Sequence, residues 1–145
     1  MGSLDTLKFK VWDDTSAVVS LIKKWKPRGC KSEKDYEKSL YEFLHAELGN
    51  VLITKQFARG RLHADIVVGN KVIIEFKHKL RSTAEYHRLL GQMMEYTEWE
   101  GSVIIVLSGE SEANLKKELK RRAAKLDGLW SNSILMDRRI IVLEK

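Results

Sequence analysis

Apolar and polar positions change their period several times along this chain, and each change predicts an element. Leu7, Phe9 and Val11 alternate with Lys8, Lys10 and Trp12, a two-residue period that predicts a short edge strand. From Thr15 to Lys26 the period is helical, with Val18, Val19, Ile22 and Trp25 on one stripe and Pro27 and Gly29 ending the run. A second helix is expected from the N-cap Ser32 to Leu48, with Glu33 and Asp35 at its positive end and Gly49-Asn50 stopping it. Its buried arc is Tyr36, Leu40, Phe43, Leu44 and Leu48, and Glu37 falls inside that arc. Glu33 and Glu47 lie on the arc too, but at the helix ends, where the dipole or solvent accounts for them.

Val51 to Phe57 is a strand candidate. Asp65 to Lys77 follows as two apolar runs around Gly69-Asn70, a dipeptide that turns easily, and so reads as a β-hairpin. Ser82 with Glu85 forms a capping box for a helix reaching about Trp99. Tyr86, Leu89, Leu90, Met93, Met94 and Thr97 make its apolar side. Arg88, Gln92 and Trp99, bordered by Tyr96, form a second stripe that is not core-like. Ser102 to Leu107 is a continuous β-rich run suited to a strand buried on both faces. A helix with Leu115, Leu119, Ala123 and Leu126 on one face should end at Gly128. Ile134 to Met136 and Ile140 to Leu143 then suggest a closing hairpin or an edge strand. This order predicts an α/β fold, a mixed β-sheet flanked by helices, as one domain over residues 1–145. Residues 1–31 form an N-terminal extension, 32–107 the core, and 108–145 a C-terminal helix and strand.

Composition narrows the partners. Charged residues are 32% and the net charge is +6, which favours a polyanion such as nucleic acid without demanding one. The Lys23-Lys24-Trp25-Lys26 cluster and the lysines and arginines between Lys116 and Lys125 read either as backbone contacts for nucleic acid or as solvated helix faces. A single cysteine, Cys30, excludes an intrachain disulfide framework, a cysteine zinc site or a thiolate-held iron–sulfur cluster. No apolar run reaches membrane-spanning length and no signal peptide is visible, so a cytoplasmic location away from membranes is expected.

The hairpin carries the chemistry. Glu75 and Lys77 are two residues apart on one strand and share a face. A two-residue loop would turn Asp65 away from Glu75. A loop of Gly69-Asn70-Lys71, or a bulge of equal effect, pairs Val68 with Val72 and sets Asp65 opposite Glu75. Facing carboxylates repel across a ladder unless a divalent cation joins them. Glu37, mid-helix and inside an apolar arc, reads as either a salt bridge or a third site carboxylate. Arg59, Arg61 and His63 precede the hairpin and could hold phosphate. His63 could instead bind metal or simply be hydrogen-bonded.

Asp65 followed by Glu75-Phe76-Lys77, with an acidic helix before and Gln92-Met93-Met94-Glu95-Tyr96 after, resembles the PD-(D/E)XK nuclease superfamily, with its restriction-endonuclease-like fold. The last segment is similar to the Gln-x-x-x-Tyr motif of RecB-like nucleases. Ala64 stands where that family has proline. The resemblance covers about Ser32 to Leu107. It implies that Asp65, Glu75, the Phe76 carbonyl and Glu37 hold Mg²⁺ or Mn²⁺, with Glu33 as the alternative helix carboxylate. It implies that Lys77 positions or deprotonates water and that Gln92 orients it, with Arg88 and Tyr96 nearby. The activity implied is hydrolysis of DNA phosphodiesters by an endonuclease in repair, recombination or restriction, with DNA as partner and a homodimer possible. A non-catalytic nucleic-acid-binding or assembly subunit of the same fold, or an RNA nuclease, are the alternatives.

Overall fold

The computed structural model describes residues 11–131 and 138–145. Its elements are α1 (Val11–Lys24), α2 (Glu33–Glu47), β1 (Ile53–Arg59), β2 (Leu62–Val68), β3 (Val72–His78), α3 (Thr83–Tyr96), β4 (Ser102–Ser108), α4 (Ala113–Ser131) and β5 (Ile140–Glu144). Of the strand expected at Leu7–Val11, residues 7–10 lie outside the described residues, and Val11 opens α1 instead. The run Ile134–Met136 also lies outside them.

Five strands form one mixed sheet in the order β1-β2-β3-β4-β5, so the fold is α/β. β1, β2 and β3 are antiparallel neighbours, whereas β3, β4 and β5 run parallel. β5 is therefore a parallel edge strand beside β4. Helices cover both faces. On one face Val18, Ile22, Leu40 and Leu44 of α1 and α2 pack on Ile66, Val72, Ile74, Phe76 and Ile104. On the other, Leu89, Met93, Leu119 and Ala123 of α3 and α4 pack on Val67, Ile73, Val103 and Ile105. β4 is buried along its whole length, as a central parallel strand under two helical layers must be. No helix among the described residues is long and apolar enough to cross a membrane.

Local chemistry explains the boundaries. Ser32 accepts from the Asp35 amide and Asp35 accepts from the Lys31 amide, so the start of α2 is capped in both directions. At α3 Ser82 accepts from the Glu85 amide, and its hydroxyl donates to the Glu85 carboxylate. Trp25 is buried and donates its indole N–H to Ser39, tying the end of α1 to α2. α4 does not stop at Gly128 but runs to Ser131. Trp130, buried in the core with the Arg138 guanidinium 3.9 Å over its ring, gives those last residues a tertiary reason to stay helical.

The β2–β3 turn fixes the register. Gly69 and Asn70 are both left-handed, at φ 59° and 56°, and the Lys71 amide donates to the Val68 carbonyl at 3.1 Å. That is type I′ geometry. The ladder nevertheless begins with Val68 opposite Val72, so Lys71 is the extra residue. Gly101 packs against this turn so closely that a Cβ there would sit 1.7 Å from the Lys71 carbonyl oxygen.

Candidate active site

β2 and β3 pair from Val68–Val72 to Ile66–Ile74, and there the ladder stops. One step further the same register sets Asp65 against Glu75. The strands have parted by that point, and the Asp65 side chain takes over from the ladder, its Oδ2 accepting the Phe76 amide at 2.8 Å. In a strand the N–H and C=O of one residue point the same way. The Phe76 carbonyl therefore leaves the strand on the side where Asp65 sits.

The neighbouring pair of strands is disturbed at the same level. β1 and β2 keep one register from Ile53–Val68 to Arg59–Leu62, but the Gln56–Asp65 step is missing from it. Gln56 has φ 51°, a left-handed backbone that costs a non-glycine residue roughly 1 kcal/mol. Both strands change faces here. Ile53 belongs to the α1/α2 core and Phe57 to the α3/α4 core. In β2, Leu62 and Ala64 share the α3/α4 core with Val67, which strict alternation forbids. Asp65 thus sits at a kink in the sheet, between the two helical layers.

Glu75 is only 4% exposed. Tyr96 Oη lies 2.6 Å from Glu75 Oε2 and 3.2 Å from the His63 carbonyl, so its one proton is committed mainly to the carboxyl. Gln92 Nε2 approaches Glu75 Oε1 at 3.4 Å. Gln92 Oε1 is buried and accepts no hydrogen bond among the described residues. Burial, then the nearby Asp65 charge, push the Glu75 carboxyl up to about 8, against the pull of Tyr96 and Lys77. Burial also raises Asp65, followed by the charges of Glu37 and Glu33. The Tyr96 hydroxyl is raised by burial and by the adjacent Glu75, so it stays protonated as a donor.

A cleft of about 550 Å³ opens beside Asp65, lined by Glu33, Lys34, Glu37 and Lys38 of α2 and Lys55 and Gln56 of β1. Among the described residues Glu37 has no lysine or arginine within salt-bridge distance. Its carboxylate accepts from Gln56 Nε2, which lies 3.0 Å from each oxygen. Glu33 accepts the His78 amide at 3.1 Å and so holds the end of β3.

No protein family, characterised protein or solved structure matches this chain.

The geometry alone therefore sorts the residues singled out from sequence. Asp65 holds the Phe76 amide, Glu75 is held by Tyr96 and approached by Gln92, and the charges of Asp65 and Lys77 act on Glu75. Glu37 and Glu33 stand in the adjoining cleft. Arg59 lies elsewhere, paired with Glu100 at 3.2 Å and stacked 5.0 Å over the Trp99 ring. Arg61 and the His63 side chain are exposed, and His63 joins the site through its carbonyl. Arg88 is exposed one helical turn before Gln92. The expected polar stripe on α3 needs correction. Tyr96 and Trp99 are core residues, and Trp99 packs on Phe57 and donates to the Lys71 carbonyl. Met94, expected in the core, is 69% exposed, and Thr97 is exposed as the C-cap. Gln56 and the cleft lysines Lys34, Lys38 and Lys55 were not singled out from sequence, although Lys34 and Lys38 each follow a site-facing glutamate directly.

Among the described residues no three His, Cys, Asp or Glu side chains converge tightly enough to enclose a metal by themselves. The donors present still suit Mg²⁺ or Mn²⁺. Such an ion needs one or two carboxylates and keeps several waters. Two neighbouring desolvated carboxyl groups, with the Phe76 carbonyl on the Asp65 side of its strand and a buried Gln92 amide oxygen that has no donor among the described residues, are a set that a hydrated dication would suit.

Proposed function

We propose that this chain is a metal-dependent deoxyribonuclease of the PD-(D/E)XK type with a restriction-endonuclease-like fold, hydrolysing DNA phosphodiester bonds. The observation that carries the reading is the Asp65–Glu75 carboxyl pair at the parted end of β2 and β3, with Lys77 two residues beyond on the Glu75 face. An ion pair or a plain core would suffice for stability, and neither calls for two neighbouring carboxyls held out of water.

Asp65, Glu75 and the Phe76 carbonyl would hold Mg²⁺ or Mn²⁺, with Glu37 as the third carboxylate. When bound, the dication supplies a lowered pKa for water and screens the charge on phosphate. Lys77 donates from its ammonium to the attacking water or to a non-bridging phosphate oxygen, orienting the first and neutralising the second. Gln92 offers its free Oε1 to the lysine or to water, and its Nε2 holds Glu75 in place. Tyr96 stabilises Glu75 in its ionised, ion-holding form. Water adds to phosphorus, the P–O3′ bond breaks, and the products are a 5′-phosphate and a 3′-hydroxyl. Lys34, Lys38 and Lys55 give the cleft wall the positive charge that flanking phosphates need.

The test is cleavage of plasmid, single-stranded, branched and RNA substrates with Mg²⁺, with Mn²⁺ and with EDTA. Wild type is expected to cut DNA only with metal. Lys77→Ala should retain the wild-type melting temperature and lose on the order of 10²-fold or more in rate. Binding without metal-dependent cutting would instead make the chain a non-catalytic nucleic-acid-binding subunit, and cutting confined to RNA would change the substrate class.

A further inference from the structure

Three non-glycine residues among those described have a left-handed backbone, and only Gln56 lies within a strand. Asn70 sits in the hairpin turn, where that conformation is ordinary, and Lys79 follows the end of β3. Glutamine has no local hydrogen bond that favours it there, so the conformation is held by what surrounds it. Its consequence is directional. Lys55 already faces α2, with Nζ 4.6 Å over the Tyr41 ring. Regular alternation would turn Gln56 to the opposite face, toward α3. The left-handed step sends it back to the α2 side, where its amide meets both oxygens of Glu37. Each Glu37 oxygen gives up one lone pair to that amide and keeps another for the cleft.

We propose that Gln56 is a positioning residue: its left-handed backbone aims its amide at α2 and fixes the Glu37 carboxylate at the wall of the Asp65 cleft, where Glu37 serves the cation. This rests on the metal-dependent reading of the site and assigns it a member outside the motif. A carboxylate on an exposed helix face samples several rotamers, and a bidentate amide selects one of them. Groups that orient metal-site carboxylates in this way typically change metal affinity by about 10–100-fold.

The experiment uses the full chain and two readouts, the melting temperature without metal and Mn²⁺ affinity by titration calorimetry. Gln56→Gly removes the amide while accepting positive φ, so it should melt no lower than wild type yet bind Mn²⁺ roughly tenfold more weakly. Gln56→Asn tolerates the same backbone with an amide one methylene shorter, and should lose similar affinity. Glu37→Ala should match that loss, and adding Gln56→Gly to it should cost nothing more. Equal Mn²⁺ affinity in wild type and Gln56→Gly, losses that add in the double variant, or a loss that merely follows a lowered melting temperature would each overturn the role of Gln56 alone. Absence of Mn²⁺ binding by wild type would overturn it together with the metal-dependent reading.

Discussion

The two ends of the β2–β3 hairpin have the same strands and the same register but opposite characters. At the turn end, Val68, Val72, Ile73 and Ile74 are apolar, fully buried and paired without interruption. At the far end, within three residues, the ladder opens, Asp65 bonds a backbone amide in place of a strand partner, and Glu75 is buried beside it. The turn end gains stability from burial. The open end gives stability up, because two desolvated carboxyls and a left-handed Gln56 are all unfavourable in the metal-free chain. Strain and desolvation gathered at one level of a sheet that is otherwise regular make that level the candidate for the proposed function.

This contrast can be broken at either end. The largest effect on stability is expected at the turn end. Ile74→Ala leaves a cavity under α1 and α2 and should cost about 2–5 kcal/mol in chemical denaturation. At the open end the sign should reverse. The folded Glu75 carboxyl sits at about 8, above its ordinary value of 4.5. Between those two values the folded chain keeps a proton that the unfolded chain has lost. Stability from this group is therefore fully present below pH 4.5, declines as pH rises, and is gone above pH 8. Gln cannot ionise, so Glu75→Gln should equal wild type near pH 4 and exceed it above pH 8 by on the order of 2 kcal/mol, measured by denaturation in EDTA. A Glu75→Gln chain less stable than wild type at high pH would remove the distinction between the two ends.

Much of the scaffold was legible in the sequence, and the reasons are local. Ser32 and Ser82 cap as their neighbours dictate, β4 reads as a buried strand from composition alone, and Gly69-Asn70 with one extra residue sets the hairpin register. The expected Asp65–Glu75 pair lies one step past the last ladder pair, where alternation in β2 breaks down and Asp65 bonds the Phe76 amide instead. What was not legible depends on tertiary contacts. A helical wheel misplaced Trp99 because α3 ends at Tyr96, after which the wheel no longer describes direction. Tyr96 looked like surface because its hydroxyl is polar, yet its ring is core and its oxygen serves Glu75. Gly128 looked like a helix stop, and the packing of Trp130 overrides it. Gln56 gave no sign at all. A left-handed residue in a strand is announced by Gly or Asn, and the face change it produces lies between Ile53 and Phe57, whose spacing fits an undisturbed strand equally well.

The most direct measurement is anomalous scattering from crystals soaked in Mn²⁺, for wild type and for Glu75→Gln. One peak is expected within about 2.5 Å of a carboxylate oxygen of both Asp65 and Glu75 in wild type, with its loss or marked weakening in the variant. A wild-type crystal with no peak there, or with Mn²⁺ bound away from both residues, would contradict the metal-dependent reading.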